Sequence, residues 1–179
     1  HNDINPGVKF AIDKGIKEAK HEIILITVVD EIFPIINVNR MINLIVEENF
    51  DFISGTRYSK GGKRIGGSLL GSVLSKTANK LFKIFTNFPL SDCTTGIKMM
   101  KKEVWNNISF ESKPIGWVFA FELTIKVYLN NFKIEEVPMK CVDRLFGGSS
   151  TFKPVPWIKE YLRWFFWGIK SIRKSKRKK

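Results

Sequence analysis

Two patterns of apolar residues alternate along the first part of the chain. From Glu22 to Val29, EIILITVV, apolar residues occupy consecutive positions, which predicts a central strand of a parallel sheet with helices on both faces. Apolar residues at helical spacing over 8–20 and 38–45 predict one helix before this strand in the chain and one helix after it. A shorter run from Phe50 to Ile53 predicts a second buried strand. A strand, a helix and a strand within about thirty residues form a βαβ unit, so the pattern indicates an α/β fold.

The alternation continues in the rest of the chain. Apolar residues between Leu69 and Phe85 predict a long amphipathic helix, with Ser75, Lys76 and Asn79 on another face. The remaining pattern predicts a short strand over 96–100, a helical turn over 104–108, a helix over 117–129 and an edge strand or hairpin over 133–142.

The last segment, WIKEYLRWFFWGIKSIRKSKRKK, combines an apolar stripe with a basic end. At helical spacing the stripe contains Trp157, Ile158, Tyr161, Leu162, Phe165, Phe166 and Ile169. A helix of this kind is typical of a membrane interface, where aromatic rings lie at headgroup level and basic residues contact anionic lipids. The alternative is a C-terminal helix packed on the core, followed by a solvated tail.

Composition changes this picture mainly through charge. The 179 residues suffice for one domain with a core, and the net charge of +13 points to an anionic partner. Seven of the 30 Lys and Arg residues, and no acid, lie over 168–179, so about half of the excess charge belongs to the tail. We expect no nucleic-acid partner, because this charge lies behind an aromatic stripe and no nucleic-acid-binding motif occurs. No apolar run reaches the ~18 residues that span a bilayer and no signal-peptide pattern opens the chain, so we expect neither a spanning nor a secreted protein.

The stretch DFISGTRYSKGGK, residues 51–63, carries the first candidate chemistry. The second predicted strand ends there in a loop that contains Gly55, Arg57, Gly61 and Gly62. In an open α/β sheet ligands bind beyond the carboxyl ends of the strands, and an arginine offers a fixed fork of donors. The loop therefore predicts a phosphate-bearing substrate. The alternative is a basic surface loop that closes a structural turn.

Several motifs, spread over nearly the whole chain, resemble one enzyme family. In chain order they are NPGVKFAIDKGIKEA, a strand that ends in DE, ENFDFISGTRYSKGG, LSDCTTGIKMMKKEVW, FAFEL, IEEVPMKCVDR and GGSSTF. Together they resemble the family 2 glycosyltransferases, and within them the branch of dolichyl-phosphate mannose synthases and bacterial polyprenyl-phosphate relatives. The resemblance implies a GT-A nucleotide-sugar transferase domain over 1–153, an α/β domain with a mostly parallel sheet flanked by helices. It also implies that this domain lacks its first strand or strands, and that an amphipathic helix with a polybasic tail covers 154–179.

The resemblance also implies an activity. Such an enzyme moves a hexose, mannose or glucose, from a nucleotide sugar to a dolichyl or undecaprenyl phosphate, as a peripheral protein on the cytoplasmic face of a membrane. Two alternatives stay open at this point. One is a family 2 transferase with a different saccharide acceptor, and the other is a degenerate, non-catalytic module that binds lipid phosphate.

Metal binding is implied by the stretch TVVDEIF. The family places Asp-x-Asp at the end of this strand to hold a divalent cation, Mg or Mn, which neutralises the departing nucleotide diphosphate. Asp30 matches this motif, and Glu31 is the candidate substitute for the second carboxylate. The alternative is an acidic pair at a strand end that is merely solvated.

A phosphate acceptor is already anionic, so it needs cationic positioning more than a general base. Arg57 and Arg144 match family positions near phosphate, Ser75 and Lys76 match polar residues of the acceptor-side helix, and Lys153 is the nearest replacement for a family lysine. The residues that the resemblance implies for substrate binding on this side of the site are Gly55, Tyr58, Ser75, Lys76, Ser149 and Lys153.

Three further residues match family positions near the sugar. Asp92, in SDCTTG, is expected to contact sugar hydroxyls or to orient Arg57 or Arg144, and its alternative role is to cap a turn. Glu122, in FAFEL, is expected to form a supporting ion pair. Trp117 is the candidate for stacking on the sugar, although a Trp at the start of a helix is also a common core residue.

Overall fold

A computed structural model of the protein describes residues 7–27, 35–142 and 154–177. In chain order the described elements are α1 (Val8–Glu18), β1 (Ile23–Ile26), α2 (Ile35–Val46), β2 (Phe52–Thr56), β3 (Lys63–Ile65), α3 (Leu69–Thr86), β4 (Lys98–Lys101), α4 (Lys102–Asn106), α5 (Val118–Leu129), β5 (Ile134–Pro138), β6 (Lys140–Val142) and α6 (Pro154–Lys176). The predicted α/β class is confirmed, and each predicted helix and strand has a counterpart in this order. None of the helices in these ranges is both long enough and apolar enough to cross a bilayer.

The main sheet has four strands in the order β1, β4, β2, β5. Strands β1, β2 and β5 run in one direction, and β4 runs antiparallel between β1 and β2. The predicted βαβ unit is therefore split, because β4 separates its two parallel strands. The described sheet is mixed rather than mostly parallel, and the prediction of a central strand of a parallel sheet over 22–29 is wrong, since β1 lies at an edge of this sheet and pairs with the antiparallel β4. Over 133–142 the chain forms no hairpin: β5 is an edge strand of the main sheet, and β6 pairs in parallel with β3 in a second, two-stranded sheet.

Alternate residues of the strands face two separate apolar cores. In β2, Phe52 points into the larger core, which is covered by α3, α5 and α6, and Ile53 points into the smaller core, which is covered by α2. This alternation follows from the two-residue period of a strand. Helix α5 lies in the larger core and is buried along nearly all of its length.

Helix α3 has clear end signals but an unexpected orientation. Ser68 caps its start by accepting a hydrogen bond from the Gly71 amide at 3.2 Å, and Asn87 ends it in a left-handed conformation with φ of 49°. Its buried residues are Asn79, Phe82 and Thr86. The apolar positions from which the helix was predicted face solvent instead: Leu70, Val73, Leu74, Leu81 and Phe85.

Helix α6 divides the predicted aromatic stripe into two parts. Phe165 and its neighbour Trp164 are buried in the larger core, against which Tyr161 and Ile169 also pack. Ile158, Leu162 and Phe166 face solvent, together with Val155. One side of α6 is thus packed on the core, as the alternative interpretation expects, and the other side remains available to a partner.

Candidate active site

The centre of the candidate site is an ion pair between Arg57, just after β2, and Asp92, in the turn that precedes β4. Arg57 Nε donates to Asp92 Oδ2 at 2.7 Å, and Arg57 Nη2 donates to Asp92 Oδ1 at 3.0 Å. The Asp92 side chain is fully buried and that of Arg57 is 10% exposed. Two parallel charge-assisted hydrogen bonds define the plane of the guanidinium. Asp92 therefore orients Arg57, which is one of the roles that the resemblance implies for it.

Asp92 also holds its own turn together. Oδ1 accepts hydrogen bonds from the amides of Thr94 and Thr95 at 3.1 and 3.2 Å, and Oδ2 accepts one from the Arg57 amide at 3.2 Å. Burial alone would raise the pKa of the Asp92 carboxyl, but the charge and hydrogen bonds of Arg57 outweigh it and hold the pKa below its usual range. The two roles predicted as alternatives, orienting an arginine and capping a turn, coexist in this carboxylate.

Hydroxyl groups surround the Arg57 guanidinium on the side of α3. Arg57 Nη2 donates to Thr94 Oγ1 at 3.1 Å, Thr94 Oγ1 lies 2.8 Å from Ser75 Oγ, and the Tyr58 hydroxyl donates to Ser75 Oγ at 2.9 Å. Asn79 fixes α3 against the same turn, because its Nδ2 donates to Thr94 Oγ1 at 3.0 Å and its Oδ1 accepts a backbone N–H at 2.7 Å. Tyr58, Ser75 and Thr94 form, with Arg57, the hydroxyl cluster of the site.

Two tyrosines are influenced by the charges of the Arg57 and Asp92 pair. Burial raises the pKa of Tyr58, and the positive charge of Arg57, whose guanidinium lies 5.0 Å from the Tyr58 ring centroid, opposes that rise only partly. Burial likewise raises the pKa of Tyr161 on α6, again opposed by Arg57. Both phenols are therefore protonated donors at neutral pH, and α6 brings Tyr161 close enough to feel the charges of the site.

A second network positions the loop that carries Arg57. Glu136 on β5 accepts hydrogen bonds from the Ser91 amide at 2.6 Å and from the Ser91 hydroxyl at 2.9 Å. Ser91 Oγ lies 2.8 Å from Thr56 Oγ1, which in turn accepts the amide of Tyr58 at 3.2 Å. A side chain at Gly62 would place its Cβ 2.6 Å from the Thr56 carbonyl oxygen, so the loop closes tightly only with glycine there.

Lys98 is a buried residue near the site that the sequence analysis did not single out. It lies on β4, and its Nζ donates to Ser54 Oγ at 2.7 Å and lies 5.5 Å from the Phe52 ring centroid. Burial lowers the pKa of Lys98 to about 8, while the negative charge of Asp92 opposes that fall. The available signal was a lysine within the apolar strand KMM, next to the SDCTTG motif.

Several predicted site residues contribute to packing or to supporting contacts. Gly55 lies inside β2, where its amide donates to the Ile97 carbonyl at 2.9 Å, so that amide is not available to a phosphate. Trp117 lies over Gly96, where an added Cβ would come within 2.6 Å of the ring. Glu122 is buried and lies 2.8 Å from Lys126 Nζ, which is an ion pair of the kind expected.

Glu122 acts on a loop rather than on the Arg57 and Asp92 pair. Its two carboxylate oxygens accept the backbone amides of Glu111 and Ser112 at 2.6 and 2.8 Å. Lys76 lies exposed on α3, next to Ser75. Of the predicted residues, the structure thus brings Arg57, Asp92, Tyr58 and Ser75 together.

The remaining predicted residues lie outside the described ranges, and their roles stay predictions: Asp30, Glu31, Arg144, Ser149 and Lys153. Within the ranges that are described, no group of three or more His, Cys, Asp or Glu side chains could hold a metal ion. Asp30 and Glu31 are still the candidate metal ligands, and carboxylate oxygens are the donors that Mg²⁺ and Mn²⁺ prefer.

The sequence of residues 1–108 matches the family described as glycosyl transferase family 2. The chain belongs to this family. It is 32% identical over 105 residues to the polyprenol monophosphomannose synthase of Mycolicibacterium smegmatis. That match covers 58% of this chain and 40% of the relative.

Solved structures confirm the fold of this chain. Glucosyl-3-phosphoglycerate synthase from Mycobacterium tuberculosis, in complex with Mn²⁺, UDP-glucose and phosphoglyceric acid, aligns with a TM-score of 0.65 and 15% identity over 95% of this chain and 56% of that one. The same enzyme with Mg²⁺ and UDP aligns with a TM-score of 0.63, 15% identity and the same coverage. The predicted GT-A fold is thus confirmed. The chain spans less than two thirds of the length of these relatives.

Proposed function

We propose that this glycosyltransferase moves a hexose, mannose or glucose, from a nucleotide sugar to a polyprenyl phosphate at a membrane surface. The observation that carries the proposal is the hydroxyl cluster beside Arg57, just beyond the carboxyl end of β2. Ligands of open α/β sheets bind at this end of the strands. A guanidinium in a fixed plane, next to several hydroxyl donors, suits the oxygens of a phosphate group.

The proposed acceptor explains why the cluster combines a cation, Arg57, with hydroxyl groups. A phosphate monoester oxygen is already a nucleophile at neutral pH, so the protein has to place it and offset its charge. Asp92 prevents Arg57 from swinging away, while Ser75 and Tyr58 offer hydroxyls from α3 and the loop. The similarity to polyprenol monophosphomannose synthase supports a polyprenyl phosphate as the acceptor and mannose as one of the two candidate sugars.

A divalent cation, held by Asp30 and Glu31, is part of the proposal. The structural relatives bind Mn²⁺ or Mg²⁺ together with UDP or UDP-glucose, which supports this assignment. When bound, such a cation offsets the charge that develops on the leaving nucleotide diphosphate. The arrangement of Arg57, Ser75 and Tyr58 serves the other reactant, the acceptor phosphate.

A second candidate function is transfer to a small, water-soluble phosphate ester. The structure of the glucosyl-3-phosphoglycerate synthase with phosphoglyceric acid favours this alternative, because its bound acid also carries a phosphate. The exposed apolar side of α6 and the basic tail favour the lipid acceptor instead, since both suit a peripheral position at the cytoplasmic face of a membrane.

Transfer of labelled sugar tests both candidates. GDP-mannose, UDP-glucose and related donors are offered with a short-chain polyprenyl phosphate in detergent, or with 3-phosphoglycerate in water, each with Mn²⁺, Mg²⁺ or a chelator. We expect metal-dependent product with the lipid acceptor. Product with 3-phosphoglycerate alone would establish the second candidate, and no product from a folded protein with any pair would contradict the proposed function.

Variants of Arg57 test the site itself. We expect Arg57→Ala to lower transfer about 100-fold or more, because a fixed cation at the acceptor phosphate is lost. Arg57→Lys keeps a positive charge next to the buried Asp92 but loses the fork of donors, so it separates loss of the site from loss of the fold. Arg40→Ala is the matched control, since Arg40 lies on α2 and forms an exposed ion pair with Glu48. Near-normal transfer by folded Arg57→Ala would contradict the assignment of Arg57 to the acceptor site.

A further inference from the structure

Lys98 places a buried amine below the turn that carries Asp92. It is the first residue of β4, and 0% of it is exposed. In the sheet it lies opposite Ser54 of β2 and opposite Ile26, the last residue of β1. Residues directly opposite each other on neighbouring strands point to the same face, so Lys98 points toward the larger core, as Phe52 does. The amine thus lies inside the sheet near the ends of two parallel strands.

A single serine joins Lys98 to the backbone of the site. A lysine ammonium has three N–H donors, and in the described part of the chain the hydrogen-bond acceptor of Lys98 Nζ is Ser54 Oγ, at 2.7 Å. Ser54 Oγ donates in turn to the Asp92 carbonyl at 3.2 Å. Lys98 therefore supports the residue that orients Arg57, although it does not contact the guanidinium.

The charges that act on Lys98 come from three neighbouring segments. Asp92 and Cys93 belong to the turn before β4, Arg57 to the loop after β2, and Glu136 to β5. Burial raises the pKa of the Cys93 thiol, which is therefore neutral at physiological pH. Two carboxylates thus face two cations in this part of the molecule.

Arg57 by itself cannot offset both carboxylates. It forms a largely buried ion pair with Asp92, which leaves the negative charge of Glu136 to be balanced. When Lys98 is protonated, the four charges cancel. When Lys98 is neutral, one net negative charge remains, and it repels an approaching phosphate. Water screens buried charges less than exposed ones, so this difference acts over the distance to the acceptor.

The buried ammonium has a cost for the folded protein. Burial lowers the pKa of Lys98 to about 8, so the folded protein still holds the proton at neutral pH, but less firmly than an exposed lysine would. An apolar side chain of similar length would fill the same space without this cost. Ionisable groups in such unfavourable surroundings cluster at functional sites.

We propose that Lys98 is a positioning residue of the acceptor site, whose buried positive charge balances the carboxylates around Arg57 so that an anionic phosphate can bind beside the hydroxyl cluster. This inference rests on the proposed function and deepens it, because it assigns a second cation to the same site. Lys98 lies within the sheet, so it acts through its charge and through Asp92 rather than by contact with the phosphate.

The pH dependence of transfer distinguishes a role in charge from a role in packing. Lys98→Met removes the charge at similar length, and Lys98→Arg keeps a charge that does not titrate below about pH 12. With the phosphate acceptor that gives product, we expect kcat/KM of Lys98→Met to be about tenfold lower than that of the wild type at pH 7. The wild type should fall to the level of Lys98→Met as the pH rises through about 8, while Lys98→Arg should show no such fall.

Lys101→Met is the matched control, because Lys101 lies at the other end of β4 and pairs with Asp51. Its pH profile should follow that of the wild type. A fall near pH 8 that persists in folded Lys98→Met would overturn the proposal, even if Lys98→Arg did not fold. A constant ratio between the wild type and Lys98→Met at every pH would also overturn it, since a packing defect lowers transfer by the same factor throughout.

A double-mutant cycle in urea tests the interaction between Lys98 and Asp92 without any substrate. At pH 7, Lys98→Met should cost more stability in the wild type than in Asp92→Asn, because only the wild type has the carboxylate that stabilises the ammonium. The difference should disappear near about pH 10, where the folded-state amine is neutral. Equal costs in both backgrounds at pH 7 would overturn the proposal. Coupling at pH 7 without transfer to any phosphate acceptor would contradict the proposed function and leave the link between Lys98 and Asp92 in place.

Discussion

Replacing Asp92 by Asn removes the negative charge that faces Arg57 and changes almost nothing in shape. The wild-type carboxylate accepts two hydrogen bonds from the Arg57 side chain and three backbone amides, with its side chain fully buried. An Asn whose oxygen keeps the bonds to Thr94 and Thr95 must turn its NH₂ group toward Arg57 Nε. Removing one member of a buried ion pair costs about 3 to 5 kcal/mol. Because Arg57 retains some exposure, we expect a loss of about 3 kcal/mol in the free energy of unfolding.

The pH dependence of this loss follows from the lowered pKa of Asp92. The folded-state pKa lies below the unfolded value, so the ionised carboxylate stabilises the wild type fully above about pH 4. As the pH falls through the folded-state pKa, the wild type loses this contribution, and Asp92→Asn has none to lose. The difference in stability between the two proteins should therefore narrow below about pH 4.

Urea unfolding of both proteins at several pH values between 3 and 7 measures these differences. Asp51→Asn is the control, because Asp51 forms a partly exposed ion pair with Lys101, and its loss should cost about 1 kcal/mol or less. A loss below about 1 kcal/mol for Asp92→Asn at pH 7 would refute the reasoning. A difference that stays constant as the pH falls to 3 would refute the electrostatic explanation even if its size were as expected.

Two further predictions concern packing and burial near the site. Gly96→Ala should lower the free energy of unfolding by about 1 to 3 kcal/mol, since its Cβ would come within 2.6 Å of the Trp117 ring. Gly15→Ala, on a helix with nothing within 4 Å of the added Cβ, should instead stabilise the protein slightly in the same thermal unfolding assay. Burial lowers the pKa of Lys98 from 10.5 to about 8. Between these pH values Lys98 is therefore mostly protonated in the unfolded chain and mostly neutral in the folded protein. Wild-type stability should thus rise by about 3 kcal/mol relative to Lys98→Met as the pH goes from 8 to 10.5, and parallel pH profiles would contradict it.

The sequence was informative about local structure and less so about how the elements face one another. Spacing alone located α3, but it could not show that the helix buries Asn79 and exposes Leu70, because that depends on hydrogen bonds to a turn more than ten residues away. The strand at β4 was predicted, whereas its antiparallel place between β1 and β2 is a property of the whole sheet.

For the candidate site, too, the sequence indicated individual residues but not the contacts between them. Arg57 and Asp92 were both singled out by their motifs, yet their 2.7 Å contact joins positions 35 residues apart and becomes visible only in the structure. The burial of Lys98 was not predicted, because a lysine between apolar residues of a strand ordinarily faces solvent. Its neighbour Ser54 and the interior position of β4 explain its burial, and neither follows from the period of the strand.

The position of β4 also has a consequence for how the chain reaches its native state. Strands β1 and β2 form no ladder with each other, and both pair with β4, which the ribosome delivers more than forty residues after β2 begins. During synthesis the backbone N–H and C=O groups of β1 and β2 that pair with β4 therefore have no partner strand until β4 has been made. Domains acquire their structure as units, and pairings between distant segments form slowly. Strands β1 and β2 can therefore join one sheet only after Lys98–Lys101 has been made, and β5 pairs with β2 later still.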